Sequence, residues 1–174
     1  MVRLVTIAVA LAALVIPARA LAGTPVTSGA IRVNASVATV QIGLTRSTVT
    51  RRLGEPIERY SRDEWSWDGP MTSFGVTFDH HRVARVSIAG SGLFCIKAGV
   101  CTGSRGGIGY LKKRYGTKLR FFRAEDGKRA AIVVGKLGKR RVFTIFGDVT
   151  STKPAGRFRS VLLGDCDRGA SRPC

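Results

Sequence analysis

Two adjacent histidines, His80 and His81, are the residues of this chain best suited to general acid–base chemistry. Neighbouring residues of an extended chain point to opposite faces, so both can serve one site only if a turn bends them together. The segment from Asp79 to Arg82 has the composition of a hairpin turn. We therefore favour a solvated turn. The alternative is a small basic hydrolase, nuclease-like or acting on wall polymer, in which His80 or His81 is the acid or base.

Four cysteines form the second reactive group: Cys95, Cys101, Cys166 and Cys174. In an exported chain they predict two disulfides, with three possible connectivities. We favour the local pairs Cys95–Cys101 and Cys166–Cys174, because each closes a short loop that contains glycine. A zinc site is the alternative, but the spacings of six and eight fit no compact pair of ligands. We expect neither a metal nor another cofactor.

The first 22 residues have the pattern of a secretory signal peptide. A basic start precedes an apolar run over residues 4–16, which is long enough for a signal-peptide core and short for a membrane span. Pro17 ends the run, and a cleavage site lies at Ala20-Leu21-Ala22 or at Ala18-Arg19-Ala20. We therefore expect a bacterial, extracytoplasmic protein, processed near Ala22 and without a membrane span afterwards. An uncleaved N-terminal anchor is the alternative.

Basic residues are concentrated in the second half of the chain. The 174 residues include 29 Lys+Arg and 11 Asp+Glu, for a net charge of +18. Residues 23–104 contain nine basic and six acidic residues, whereas residues 105–174 contain eighteen and five. A hydrophobic content of 44% excludes a disordered polyelectrolyte, so the charge predicts a folded protein that attracts anionic partners. Outside the cell, an acidic protein or an anionic envelope polymer fits better than nucleic acid.

Hydrophobic periodicity predicts two short helices, which end at Gly54 and at Gly116. Thr45 is expected to cap the first helix, and Pro56 prevents its continuation. After each helix the period changes to two, which predicts strands. The strands are expected near residues 58–67, 73–79 and 82–89, and near 118–124, 129–135, 140–147 and 157–163.

The pattern predicts an α+β fold of two tandem related units, each a short helix followed by a small antiparallel sheet. After the signal peptide of residues 1–22, residues 23–92 form the first unit. Residues 93–174 form the second, basic unit, with the disulfide loops. Two such units can cover each other or merge their sheets, because each small sheet has one apolar face to bury.

One stretch resembles a known family. Gly43-Leu44-Thr45, Val49 and Leu53-Gly54-Glu55-Pro56 resemble the opening of the SmpA/OmlA outer-membrane assembly lipoproteins and the repeats of the β-lactamase inhibitory protein. The resemblance covers residues 40–88 and includes the Trp65-Ser66-Trp67 strand. It implies an envelope or extracellular protein that binds other proteins through its exposed sheet and loops. No cysteine directly follows the apolar run of the leader, so the resemblance does not extend to a lipid anchor. It also implies no β-lactamase inhibition.

These observations predict a secreted, monomeric, non-catalytic binding protein. It would act through sheet, loop and cationic surfaces on a protein or an anionic envelope polymer. The two tryptophans share one strand face and are either core or contact residues. The candidate binding residues are Lys112, Lys113, Arg114, Arg120, Arg123, Lys139, Arg140, Arg141, Trp65 and Trp67.

Overall fold

Strands predominate in the computed structural model, which describes residues 23–90, 92–168 and 174. The chain continues from the first three short strands into a helix, four strands that end near residue 89, a small hairpin, a second helix and four further strands. The elements in chain order are β1 (Gly29–Arg32), β2 (Ser36–Val37), β3 (Val40–Gln41), α1 (Arg46–Leu53), β4 (Glu58–Arg59), β5 (Glu64–Ser66), β6 (Ser73–Asp79), β7 (Arg82–Ala89), β8 (Phe94–Lys97), β9 (Val100–Cys101), α2 (Gly107–Tyr115), β10 (Leu119–Arg123), β11 (Arg129–Leu137), β12 (Arg140–Gly147) and β13 (Ser160–Asp165).

The strands form two sheets, and this corrects the predicted fold class. One antiparallel sheet has eight strands in the order β10-β11-β12-β13-β7-β6-β5-β4, and a second sheet has five in the order β3-β2-β1-β8-β9. The expectation of an α+β protein with two helix-plus-small-sheet units is therefore wrong. Pairing of β13 with β7 makes the strands of both halves one continuous sheet. The five-stranded sheet comes from residues in which no strand was predicted.

A side-chain cap marks the start of the first helix, and a glycine marks the end of each helix. The Thr45 side chain accepts a hydrogen bond from the Thr48 backbone N–H, which caps α1 as predicted. Gly54 ends α1 with a φ of 81°, and Gly116 ends α2 with a φ of 50°, a region that favours glycine. Both helices are too short to persist alone, so each depends on packing against the sheet.

One apolar core lies between the eight-stranded sheet and the rest of the molecule. Phe74 of the large sheet stacks against Phe94 of the small sheet, with ring centroids 6.2 Å apart. Val49 of α1 and Leu111 of α2 are fully buried in the same cluster. We call the side of the eight-stranded sheet that faces this core the covered face, and the opposite side the open face.

Both predicted disulfides are present, which confirms the local pairing. Cys95 and Cys101 are directly opposite each other on β8 and β9. Cys166 follows β13 and is joined to Cys174. Among the described residues there is no cluster of three or more His, Cys, Asp and Glu that could bind a metal ion. The described part of the chain also lacks a helix with the length and apolar composition needed to cross a membrane.

Candidate binding site

The open face contains an apolar cluster in its second half. Side chains alternate between the two faces of a strand, and the strand register aligns Ile132, Ile145 and Leu162 in one row across β11, β12 and β13. Val134 and Phe143 form the next row. In the described part of the chain these residues cluster only with one another and with Cys166. We call this group the open-face cluster.

Small side chains line the open face beside this cluster. Gly75 of β6, Ser87 of β7 and Gly164 of β13 all lie there, because their neighbours Phe74, Val86 and Leu163 point into the core. A Cβ at Gly164 would overlap the Phe143 ring, so this ring extends over the backbone of β13. The result is a shallow surface with an apolar side and a polar side.

Arg85 of β7 occupies the middle of the open face. Its strand neighbours are Thr77 on β6 and Gly164 on β13. The Arg85 Nε and one terminal nitrogen are shielded from solvent and make no hydrogen bond with the described residues. Leaving charged donors buried and unpaired is costly, so this guanidinium is an unusual feature of the sheet.

The predicted basic residues lie on two sides of the molecule. Arg120 and Arg141 are on the open face, together with Lys136, because each lies next in sequence to a residue that packs toward the core. Lys112, Lys113 and Arg114 lie in the last turn of α2, on the covered side. The Lys112 Nζ lies 5.5 Å from the centroid of the Phe121 ring.

The three other predicted basic residues lie at turns and strand ends. Arg123 ends β10 and donates a hydrogen bond to the Gly127 carbonyl, and Lys139 lies in the turn before β12. Arg140 packs against Gly43, where a Cβ would overlap its guanidinium. These three residues therefore lie at the ends of strands and not within the sheet face.

The two tryptophans share the covered side, as their spacing predicts, but differ in exposure. Trp67 is 0% exposed, and its indole N–H donates to the Gly54 carbonyl at 3.3 Å. Trp65 is half-buried between Arg46 and Arg59, whose guanidinium carbons lie 5.7 and 4.9 Å from its ring centroid. Trp67 is thus a core residue in this structure, and neither indole lies on the open face.

His80 and His81 form the turn between β6 and β7. Both have positive φ values, 47° and 63°, as a two-residue hairpin turn requires. The His80 Nδ1 lies 2.8 Å from the Asp79 Oδ1, a pairing that adjacency in sequence did not predict. The His80 side chain is 87% exposed. Both histidines line a shallow depression with Arg62 and Asp63.

Acidic residues lie at the far end of the open face, on β4 and β5. Glu58 and Ser66 share a row there, and Glu64 shares a row with Thr77. A hydrogen bond to the Glu58 side chain raises the pKa of Tyr60 above its usual value. The open face therefore changes from acidic at the β4 edge to basic at the β10 end.

Sequence reasoning missed Arg85 and Phe143. Both belong to alternating strands, Arg82–Ala89 and Arg140–Gly147, where each lies opposite the core-facing residues. The alternation of Arg85 with Val86 and Ile88 is visible in the sequence. Arg85 could have been recognised as an arginine inside a strand, flanked by core residues, with no acidic residue two positions away on the same face.

Comparisons with known proteins do not assign the chain to a family. None of the protein-family models matches the chain, and none of the curated proteins does. The resemblance to SmpA/OmlA and the β-lactamase inhibitory protein therefore stays a prediction. The structure is similar to that of a cysteine-rich secretory protein from Staphylococcus aureus, with a TM-score of 0.46 and 12% sequence identity. The match covers 71% of this chain and 44% of that one, less than half its length, and we infer neither fold nor function from it.

Proposed function

We propose that the protein is an exported, non-catalytic binding protein that holds an acidic partner, a protein or an anionic envelope polymer, on its open face. The observation that carries the proposal is an apolar cluster bordered by cations. Arg120, Lys136 and Arg141 form this basic border. No Asp or Glu side chain among the described residues makes an ion pair with any of the three, and the Arg141 guanidinium donates a hydrogen bond to the Cys174 carbonyl oxygen at 3.3 Å.

Physical chemistry supports such a surface as a binding site. Complementary charge at the rim of an interface speeds encounter and excludes wrong partners, while apolar side chains near its centre supply affinity. The covered face has its own helices and sheet to pack against, whereas among the described residues the open-face cluster has only Cys166 beside its own strands. Two disulfides are typical of oxidising, extracytoplasmic compartments, where such a partner would be met.

The test compares two double charge reversals. Arg120→Glu with Lys136→Glu alters the basic border, and Lys112→Glu with Lys113→Glu makes the same change in net charge on α2. Poly-L-glutamate is the probe for an acidic protein, and its binding is measured by fluorescence anisotropy at low salt and near 0.15 M salt. Screening shortens to about 8 Å at the higher salt, so binding of the parent protein should weaken there.

We expect the open-face reversal to weaken binding by about tenfold or more, and the α2 reversal by only a few-fold. Both variants lower the net charge by the same amount, so a difference in their loss of binding comes from the location of the altered charges and not from the total charge. Equal losses in both variants, or a larger loss from α2, would show that the open face is not the binding surface. Binding that ignores salt would refute an electrostatic interaction altogether.

A second candidate function rests on the contact between His80 and Asp79. A carboxylate that orients one imidazole nitrogen leaves the other nitrogen free as a general base, as in many hydrolases. The high exposure of His80 argues against catalysis, because water screens the charges that a reaction would develop. The residues that line the depression also include no serine, threonine or cysteine nucleophile.

His81 provides a matched control for this alternative. RNA and wall polymer are incubated with the parent protein, with His80→Ala and with His81→Ala. We expect no turnover from any of them. Turnover by the parent protein that disappears in His80→Ala and persists in His81→Ala would establish the hydrolase and overturn the non-catalytic proposal.

A further inference from the structure

Arg85 is a positive charge for which the described fold provides no counter-ion. A guanidinium stays protonated in proteins, so it cannot relieve its burial by losing the charge. Within the part of the chain that the structure describes, the Nε and one terminal nitrogen make no hydrogen bond, although the side chain has five N–H donors. The ion pairs of the described residues involve other cations: Arg46, Arg59, His80, Lys128 and Arg168.

The strand neighbours of Arg85 explain why it has no counter-ion among the described residues. Thr77 and Gly164 flank it on the adjacent strands, and neither has a negative charge. Glu64 shares the row but lies one strand beyond Thr77 on β5, so about 10 Å of sheet separates its Cα from that of Arg85. Glu64 makes no ion pair with Arg85, so none of the described carboxylates neutralises Arg85 and its open side is left for an anion of a ligand.

The surroundings of Arg85 also indicate what kind of anion fits. Small residues lie beside it, including Gly75 and Ser87, where a Cβ on Gly75 would come within 2.7 Å of the Ser87 Oγ. Leu162, a partly exposed member of the open-face cluster, is directly opposite Ser87 on β13. A ligand at this position would thus contact a cation and an apolar surface together.

We propose that Arg85 is the anchor of the open face and binds the carboxylate of an Asp or Glu side chain on a partner protein. This inference rests on the proposed function and names the chemistry of its partner. The Arg85 side chain as a whole is partly exposed, and its other terminal nitrogen is not among the shielded atoms, so a carboxylate on the open side can form a charge-assisted hydrogen bond there. The neighbouring cluster favours a protein over a polyanion, because a protein presents apolar side chains beside its carboxylate and an envelope phosphate polymer does not.

The inference predicts opposite effects of one substitution on stability and on binding. In Arg85→Met, a flexible apolar side chain replaces a partly buried charge that has no counter-ion among the described residues, so the melting temperature of the free protein should rise. Binding should weaken by about tenfold or more, because the counter-charge of the ligand is lost. A residue that serves only the fold would show a lower melting temperature and unchanged binding.

The experiment uses the full chain and three probes: a glutamate–tyrosine copolymer, poly-L-glutamate and long-chain polyphosphate. Arg51→Met is the matched control, because Arg51 is an exposed residue of α1 that makes no ion pair with the described residues. We expect the copolymer to bind the parent protein most tightly, Arg85→Met to weaken that binding and Arg51→Met to leave it nearly unchanged.

Each other outcome overturns a defined part of the inference. Equal copolymer binding by Arg85→Met and Arg51→Met refutes the anchor, even if reversal at Arg120 and Lys136 still weakens poly-L-glutamate binding. Arg85-dependent binding that is tightest for polyphosphate refutes the protein partner in favour of a phosphate polymer. A lower melting temperature of Arg85→Met refutes the unpaired charge as a cost to the free protein.

Discussion

Trp67 and Trp65 show how burial separates two identical residues only two positions apart. Trp67 packs edge-on against Phe74 and has no exposed surface, whereas Trp65 contacts Phe78 and two arginines and keeps part of its ring in solvent. Removing a fully buried aromatic ring costs the transfer energy of the ring and leaves a cavity. The loss at a half-exposed ring is smaller, because water already contacts part of it.

We therefore expect Trp67→Ala to lower the free energy of unfolding by about 3–5 kcal/mol. Trp65→Ala should lower it by about 1–2 kcal/mol, through lost contacts with Phe78 and the arginines. Urea unfolding followed by circular dichroism measures both values, and Met71→Ala, an 82% exposed site, is the control that should change little. Equal losses for the two tryptophans would contradict the difference in burial.

The role of a residue could be predicted from the sequence when its partners lie close to it in the chain. The Thr45 cap and the terminal glycines involve atoms within one helical turn, and the sequence predicted them. Arg85 was harder to recognise, because its lack of a counter-ion in the described structure depends on Thr77 and Gly164, which two different strands bring beside it. A register shift between Thr77 and Phe78 also interrupts the simple alternation of this hairpin.

Among the elements, the β10–β11 hairpin contains the clearest electrostatic arrangement. The Lys128 Nζ lies 3.2 Å from the Asp148 Oδ1 and 3.4 Å from the Asp126 Oδ2. Interaction with Asp148, and then with Asp126, raises the pKa of Lys128 above its usual value. A hydrogen bond from the Lys128 backbone N–H lowers the pKa of Asp126. Both residues are exposed at the surface, so salt screens these interactions.

These two pKa shifts determine how the stability of the folded protein changes with pH. The contribution of Asp126 is present above its unfolded-state pKa and is lost as the pH falls through the lower folded-state pKa. The contribution of Lys128 is present below its unfolded-state pKa and is lost as the pH rises through the higher folded-state pKa.

Asp148 is the main cause of the raised Lys128 pKa, so Asp148→Asn should move this pKa back toward its ordinary value in an NMR titration. Glu125→Gln, in the same turn, should leave it unchanged, and equal shifts in both variants would contradict this pairing.

The predictability of elements followed their length and the sequence distance of their partners. Strands of five to nine residues, such as β6, β7, β11 and β12, were recognisable because several alternations fit within them. The strands β2 and β3 have two residues each, too few to show a period. Strand β1 pairs in parallel with β8, more than 60 residues away, and no local pattern predicts such a contact.

For the whole molecule, the amino-acid composition determines the sign of the net charge, whereas the fold determines where the charged side chains lie. Composition alone predicted a strongly basic protein. The division of that charge between α2 and the open face depends on strand register, since moving β10 by one residue would exchange the sides of Arg120 and Phe121. The sequence could therefore predict attraction to anions but not the surface that receives them.

The shared core predicts that the molecule unfolds as one unit. A single apolar cluster includes Ile31 and Phe94 from the small sheet, and Phe74 and Phe146 from the two halves of the large sheet. If the halves were independent, removal of a ring in one would not change the stability of the other. Because they share strands and core, every probe should report the same transition.

Phe146→Ala tests this coupling, because Phe146 is fully buried on β12 while both tryptophans lie in the first half of the chain. We expect a loss of about 3–5 kcal/mol in the free energy of unfolding. The urea midpoint reported by tryptophan fluorescence should fall by the same amount as the midpoint reported by far-UV circular dichroism. A tryptophan midpoint that stays at its original value, while the circular dichroism transition moves or splits, would show that the two halves unfold separately despite their continuous sheet.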